Sequence, residues 1–167
     1  LGASNTVSFA ALCHDLGKAT TLASRLPRHI AHEAKGLSLI STLCDRLRIP
    51  AGHRQLAELV CQYHTHCHRA LHLKPKTILT TLEATDAFRR PERFEQFLLA
   101  CEADVRGRKG LEDRPYPQVE RLKETYRACL KIDNKELQKK GFEGEAFAEE
   151  LRRLRLEAIK QVIKTSS

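Results

Sequence analysis

The stretch Leu56-Ala-Glu-Leu59-Val60-Cys61-Gln-Tyr63-His64-Thr-His66-Cys67-His68 carries two readings at once. Leu56, Leu59, Val60 and Tyr63 recur at i, i+3, i+4 and i+7, the spacing of one buried helix face. His64 and His68 stand four apart, so a helix that buries those apolar residues also sets two imidazoles one above the other. The segment therefore predicts a core helix that carries polar chemistry.

The same period extends outward in both directions. Upstream, Leu37, Ile40, Cys44 and Leu47 fall at i, i+3, i+7 and i+10, and Pro50 and Gly52 break the chain. Earlier still, Val7, Ala10 and Ala11 share a face that Gly17 brings to an end. Downstream, Pro75 suits a first helical turn with Ile78, Leu79 and Leu82 behind it, and Pro91 opens a helix through Phe94, Phe97, Leu98, Cys101 and Val105. Gly107, Gly110, Pro115 and Pro117 mark a loop over 106–118. Beyond it come a helix with Leu122, Tyr126 and Cys129, a short helix capped by Asn134, and a long final helix with Phe147, Leu151, Leu154, Ala158 and Val162 on one face. No strand alternation stands out, so the expected class is all-α. The expected division is a catalytic unit over 1–105 and a basic helical tail over 106–167.

Composition narrows the partners. Forty-one per cent hydrophobic residues are enough for a core, and with 5% aromatics that core must rest on aliphatic side chains. No apolar run reaches the length of a membrane span, so no membrane association is expected. The six cysteines form no CxxC pair and read as reduced, buried thiols of a cytoplasmic protein. The formal charge is +8, and the shorter stretch 105–167 carries 16 Lys/Arg against 11 Asp/Glu. That excess suits a polyanion, by release of its counterions, and equally a solvated helical surface.

The chemistry concentrates in Cys13-His14-Asp15-Leu16-Gly17-Lys18. Imidazole beside carboxylate at a helix end suits a divalent cation, which can polarise a phosphoryl oxygen. Lys18 would face a phosphate. A capping Asp next to a packed His is the plain alternative. His32 and His64 are further ligand candidates. Asp86 sits on the apolar stripe of Leu79 and Leu82, where a carboxylate is costly unless bound to metal or paired, here with Arg89 or Arg90. His66 and His72 read as surface residues and His53 as structural. A structural zinc on Cys61, His64, His66 and Cys67 is disfavoured, because four ligands crowded on one helix diverge.

Several strings resemble a known family. His14-Asp15 with later histidines and an aspartate on a separate helix resembles the HD superfamily of metal-dependent phosphohydrolases. More closely, Phe9-Ala-Ala-Leu-Cys-His-Asp-Leu-Gly-Lys18, Leu26-Pro-Arg-His29, Asp86-Ala-Phe-Arg-Arg-Pro-Glu-Arg93 and Glu102-Ala-Asp-Val-Arg-Gly-Arg108 are similar to the bacterial CCA-adding tRNA nucleotidyltransferases, as is the tail around Gly141-Phe-Glu-Gly144 and Arg152-Arg153. The resemblance implies an HD-type helical domain followed by a helical tail. It implies 2′,3′-cyclic phosphodiesterase, 2′-nucleotidase and phosphatase activity on a nucleotide or cyclic phosphate, with magnesium or nickel as cofactor. His14, Asp15, Asp86, His64 and His32 would be metal ligands, with Asp15, His64 and Lys18 in the catalytic step. Lys18 and Arg28 would neutralise the substrate phosphate. Arg89, Arg90, Arg106, Arg108 and Lys109 would contact the tRNA 3′ end and backbone, in a monomer or homodimer. The Gly-Ser…Asp-x-Asp motif of the nucleotidyltransferase head is absent, so nucleotide addition is not expected of these residues. The family's first histidine precedes the His-Asp pair and none stands before His14, which fits a chain that begins inside a longer protein. A non-catalytic tRNA-binding body and a different HD nucleotide hydrolase are the alternatives.

Overall fold

The computed structural model describes residues 4–165. Its helices are α1 (Asn5–Cys13), α2 (His32–Leu47), α3 (Ala51–His68), α4 (Pro75–Ala84), α5 (Pro91–Arg106), α6 (Pro117–Leu130), α7 (Asn134–Lys139) and α8 (Gly144–Thr165), with short 3-10 turns between some of them. Among the described residues no strand forms, and the all-α expectation holds.

Helix α3 is the axis of the fold. It packs against α1, α2, α4, α5 and α6. Leu56, Ala57, Leu59, Val60, Cys61, His64 and Cys67 are all buried along it. A helix hydrophobic on so much of its circumference must be surrounded. Phe94 and Phe97 of α5, Ile78, Leu79 and Leu82 of α4 and Ile40 of α2 fill the space around it. Pro75, Pro91 and Pro117 each stand at a first helical turn, where the missing N–H costs nothing.

The loop at 107–116 lies where a boundary was expected. Leu122 and Cys129 of α6 and Ile159 of α8 nonetheless belong to the same buried cluster as α1–α5. The face of α8 differs from the expected stripe. Ile159 is its one fully buried side chain, and Arg155 lays its guanidinium 3.7 Å from the centre of the Phe88 ring. The charged head of Arg155 thus stacks on an aromatic face, a cation–π contact that a hydrophobic-period reading passes over. Helix α7 is capped by Asp133 and not Asn134, since the Asp133 carboxylate accepts from the backbone N–H of Lys135 and Glu136.

Gly17 does more than end a helix. A Cβ built on it would lie 1.8 Å from the His32 carbonyl oxygen and 2.7 Å from the Gly36 nitrogen. The turn after the His-Asp pair is thus pressed against the backbone of α2. All six cysteines are free and buried. No helix among the described residues is long and apolar enough to cross a membrane.

Candidate metal centre

Four helices deliver side chains to one place. Helix α1 ends at Cys13, so His14 falls on its C-cap and Asp15 opens the 3-10 turn Leu16–Thr20. His32 begins α2. His64 and His68 lie in the last turns of α3, and Asp104 in the last turn of α5. The His14 ring lies 4.8 Å from that of His64, which is 5.5 Å from His32 and 5.6 Å from His68.

Each ring is held by its Nδ1. His14 Nδ1 is 2.6 Å from the Ala11 carbonyl oxygen, His32 Nδ1 3.0 Å from that of His29, and His64 Nδ1 3.0 Å from that of Val60. A carbonyl only accepts, so these three nitrogens donate their proton. Nε2 of the neutral ring is then a lone pair directed into the cluster, the tautomer that outer hydrogen bonds impose on metal-binding histidines. His68 Nδ1 is held instead by the Tyr116 hydroxyl at 2.7 Å.

The acceptors crowd one another. His14 Nε2 lies 3.1 Å from Asp15 Oδ2 and 3.4 Å from Asp104 Oδ1. His32 Nε2 and His64 Nε2 lie 3.5 and 3.6 Å from Asp15 Oδ1, and His68 Nε2 lies 3.1 Å from Asp104 Oδ2. Yet His14 Nε2, His32 Nε2, His68 Nε2 and Asp15 Oδ1 are buried without an aligned hydrogen bond. Buried polar atoms with no partner are costly. His14, Asp15 and His64 each offer a ligand atom, all within 4.8 Å of one another. Nitrogen and carboxylate oxygen in this mixture suit a divalent cation.

No protein-family model matches the chain, and no solved structure does. Curated proteins do. The chain is 54% identical over 162 residues to the multifunctional CCA protein of Thioalkalivibrio sulfidiphilus, covering 97% of this chain and 40% of that protein. It is 50% identical over 165 residues to that of Nitrosococcus oceani, covering 99% and 41%, and 48% identical over 155 residues to that of Hahella chejuensis, covering 93% and 37%. This chain is homologous to part of the multifunctional CCA proteins. It spans about 40% of the length of the curated relatives it matches.

In this CCA-protein homologue His14, Asp15, His32 and His64 stand together. Lys18 stands at the rim, its Nζ 2.5 Å from Asp15 Oδ2. Arg28 is exposed on the segment before α2.

Asp86 is a correction. It does not enter the cluster; its carboxylate lies 3.4 Å from Arg90 and 3.9 Å from Arg89. Its place follows from backbone geometry. Asp86 has φ 57°, and the next N–H, of Ala87, donates to the Leu82 carbonyl at 3.0 Å. This is the left-handed cap that ends α4, and Asp tolerates that conformation better than most residues.

The carboxylate from a separate helix is Asp104. It follows Phe97 and Cys101 at i, i+7 and i, i+3, on the buried stripe of α5, and that burden on an apolar face was the available signal. His68 was legible too, one turn beyond His64. His66 is not a surface residue: it is half-buried, and its Nδ1 meets Thr81 Oγ1 at 2.9 Å across α3 and α4. Of the basic residues, Arg106 pairs with Glu102 at 2.8 Å and Arg108 with Asp104 at 2.9 Å, while Arg89, Arg90 and Lys109 are exposed.

The electrostatics give a pH dependence. Burial pulls the His14 imidazole down, but Asp104 and Asp15 outweigh it and push it up to about 10. Burial raises Asp15 and Asp104, yet His14 beside both, with Lys18 on Asp15 and His68 and Arg108 on Asp104, holds them well below the usual carboxylate range. Burial, followed by the charge on His14, pushes His64 down to about 4.

In the cation-free protein His14 is therefore an imidazolium between two carboxylates. Its folded value exceeds the ordinary 6.5, so its stabilisation is complete below 6.5 and is lost as pH rises towards 10. The depressed carboxylates act at the other end. They stabilise above their ordinary 3.8 and lose that as pH falls below it. We expect the Tm of chelator-treated protein to fall from pH 6.5 to 9.5. Saturating magnesium or nickel should flatten that fall, because the cation replaces the proton. A Tm that rises with pH after chelation contradicts this reading.

Proposed function

We propose that this chain carries a divalent-cation-dependent phosphohydrolase centre that opens 2′,3′-cyclic phosphates and removes terminal phosphates at RNA ends, within a protein that processes tRNA 3′ ends. One observation carries the proposal: His14 Nε2, His32 Nε2, His68 Nε2 and Asp15 Oδ1, drawn from distant parts of the chain, face one another as buried atoms without an aligned hydrogen bond, beside the Asp104 carboxylate.

His14, Asp15 and Asp104 would hold the cation, with His32, His64 and His68 around them. When bound, a divalent cation polarises a phosphoryl oxygen and acidifies an attacking water. The protein supplies the rest. His64, pushed down to about 4, stays neutral at pH 7 and keeps a lone pair for a ligand bond or a proton. Lys18 places an ammonium at the rim, where an entering phosphate replaces part of the charge it now finds on Asp15. Arg28, exposed nearby in sequence, adds charge on the approach. Water attacks phosphorus, one ribose oxygen leaves with a proton, and a monoester remains. Exposed Arg89, Arg90 and Lys109 meet the RNA backbone.

The test is turnover of adenosine 2′,3′-cyclic monophosphate and of a short RNA ending in the same cyclic phosphate. Both should be hydrolysed with magnesium or nickel and lost on chelation. Raising salt should weaken the RNA substrate more than the mononucleotide. No turnover of either substrate with any divalent cation overturns the hydrolase reading.

A further inference from the structure

A cavity of about 650 Å³ opens beside the cluster, where α5 ends, the following loop turns and α6 begins. Its wall includes His68, Val105, Arg108, Leu111, Arg114 and Tyr116. Two of these tie it to the candidate centre. His68 spans from the Tyr116 hydroxyl, at 2.7 Å, to Asp104, at 3.1 Å, and Arg108 reaches the same Asp104 oxygen at 2.9 Å. The cavity and the cluster therefore share a wall.

A phosphoryl group alone needs only the cluster. The cavity has the size of small-molecule sites generally, and its wall is shared about equally between apolar and polar groups. Val105, Leu111 and the Tyr116 ring suit the faces of a base and a ribose. The two guanidinium groups differ. Arg108 is committed to Asp104, beside the reacting phosphate. Arg114 is exposed, and among the described residues no carboxylate pairs with it. An unpaired guanidinium on a cavity wall is built for a bidentate anion.

We infer that this cavity is a nucleotide subsite of the same centre, in which Arg114 holds a second phosphate of the substrate. The centre then prefers a nucleoside carrying two phosphates, the chemistry of an RNA terminus, over inorganic phosphate. This rests on the hydrolase reading of the cluster for the position of the first phosphate.

Calorimetric titration with adenosine 3′,5′-bisphosphate and with inorganic phosphate, in magnesium, tests it. Wild type should bind the bisphosphate more tightly. Arg114→Ala should cut that preference by about tenfold, the worth of one charge-assisted contact, and Arg114→Lys should restore part of it. No preference in wild type, or the same preference in Arg114→Ala, overturns the subsite. Turnover of adenosine 2′,3′-cyclic monophosphate on the same preparations separates the two ideas. Hydrolysis with an Arg114-independent preference overturns the subsite alone. An Arg114-dependent preference without hydrolysis upholds the subsite and overturns the hydrolase reading.

Discussion

Asp104→Asn should reduce cation-dependent phosphate hydrolysis by at least about 100-fold, more than is usual for an outer-shell partner of a metal, while Asp86→Asn should leave it within about twofold. The two aspartates separate the sequence reading from the structural one. Asp104 lies 3.4 Å from His14 Nε2 and 3.1 Å from His68 Nε2. Asparagine keeps its shape but removes the negative charge, so the cluster loses one anionic group and Arg108 and His14 lose their counter-charge. Asp86 faces only Arg89 and Arg90, near solvent, where ion pairs contribute little. Steady-state rates at saturating magnesium, with melting curves to show that both variants are folded, decide between them. Equal losses in both, or loss in Asp86→Asn alone, would return the second carboxylate to α4.

Gly17→Ala should destabilise the protein by about 3 kcal/mol or more, the upper range for an overpacked buried site. The methyl would collide with the His32 carbonyl oxygen and the Gly36 nitrogen, and neither can rotate away as a side chain would. Helix α2 would have to move off the 3-10 turn, carrying His32 from Asp15. Cation affinity should therefore fall together with stability. Gly52→Ala is the matched control. A Cβ there meets nothing within 4 Å, and the position is helical, so alanine should be neutral or stabilising by about 0.5–1 kcal/mol. Chemical denaturation midpoints measure both. A Gly17→Ala midpoint equal to wild type would mean that the turn is not packed on α2.

These two positions show what local sequence could and could not convey. Helices α3, α4 and α5 were legible because their apolar period is strong and Pro75 and Pro91 mark their starts. His14 and Asp15 were legible as an imidazole beside a carboxylate at a helix end, and His64 because an ionisable group on a buried helix face demands a partner. Asp86 met the same criterion and misled. Its stripe belongs to α4, but it occupies the left-handed residue after that helix, which turns its side chain outward. Spacing along a helix does not reveal where the helix stops within one residue. Asp104 carried that signal too, but choosing it over Asp86 required knowing that the end of α5 lies beside the end of α1, a long-range contact. Gly17 read as a simple terminator because close approach of two backbones is invisible without the second. Arg155 escaped for a different reason, since it packs a charged guanidinium, and not an apolar side chain, on the Phe88 ring.

The decisive measurement is the position of a bound cation. Crystals soaked in manganese or nickel, with anomalous diffraction data, would show where it sits. A peak is expected within coordination distance of His14 Nε2, an Asp15 oxygen and an Asp104 oxygen, with His64 or His32 adjacent. A peak at Asp86 or on the exposed surface, with the His14–Asp15–Asp104 corner empty at saturating metal, would contradict it.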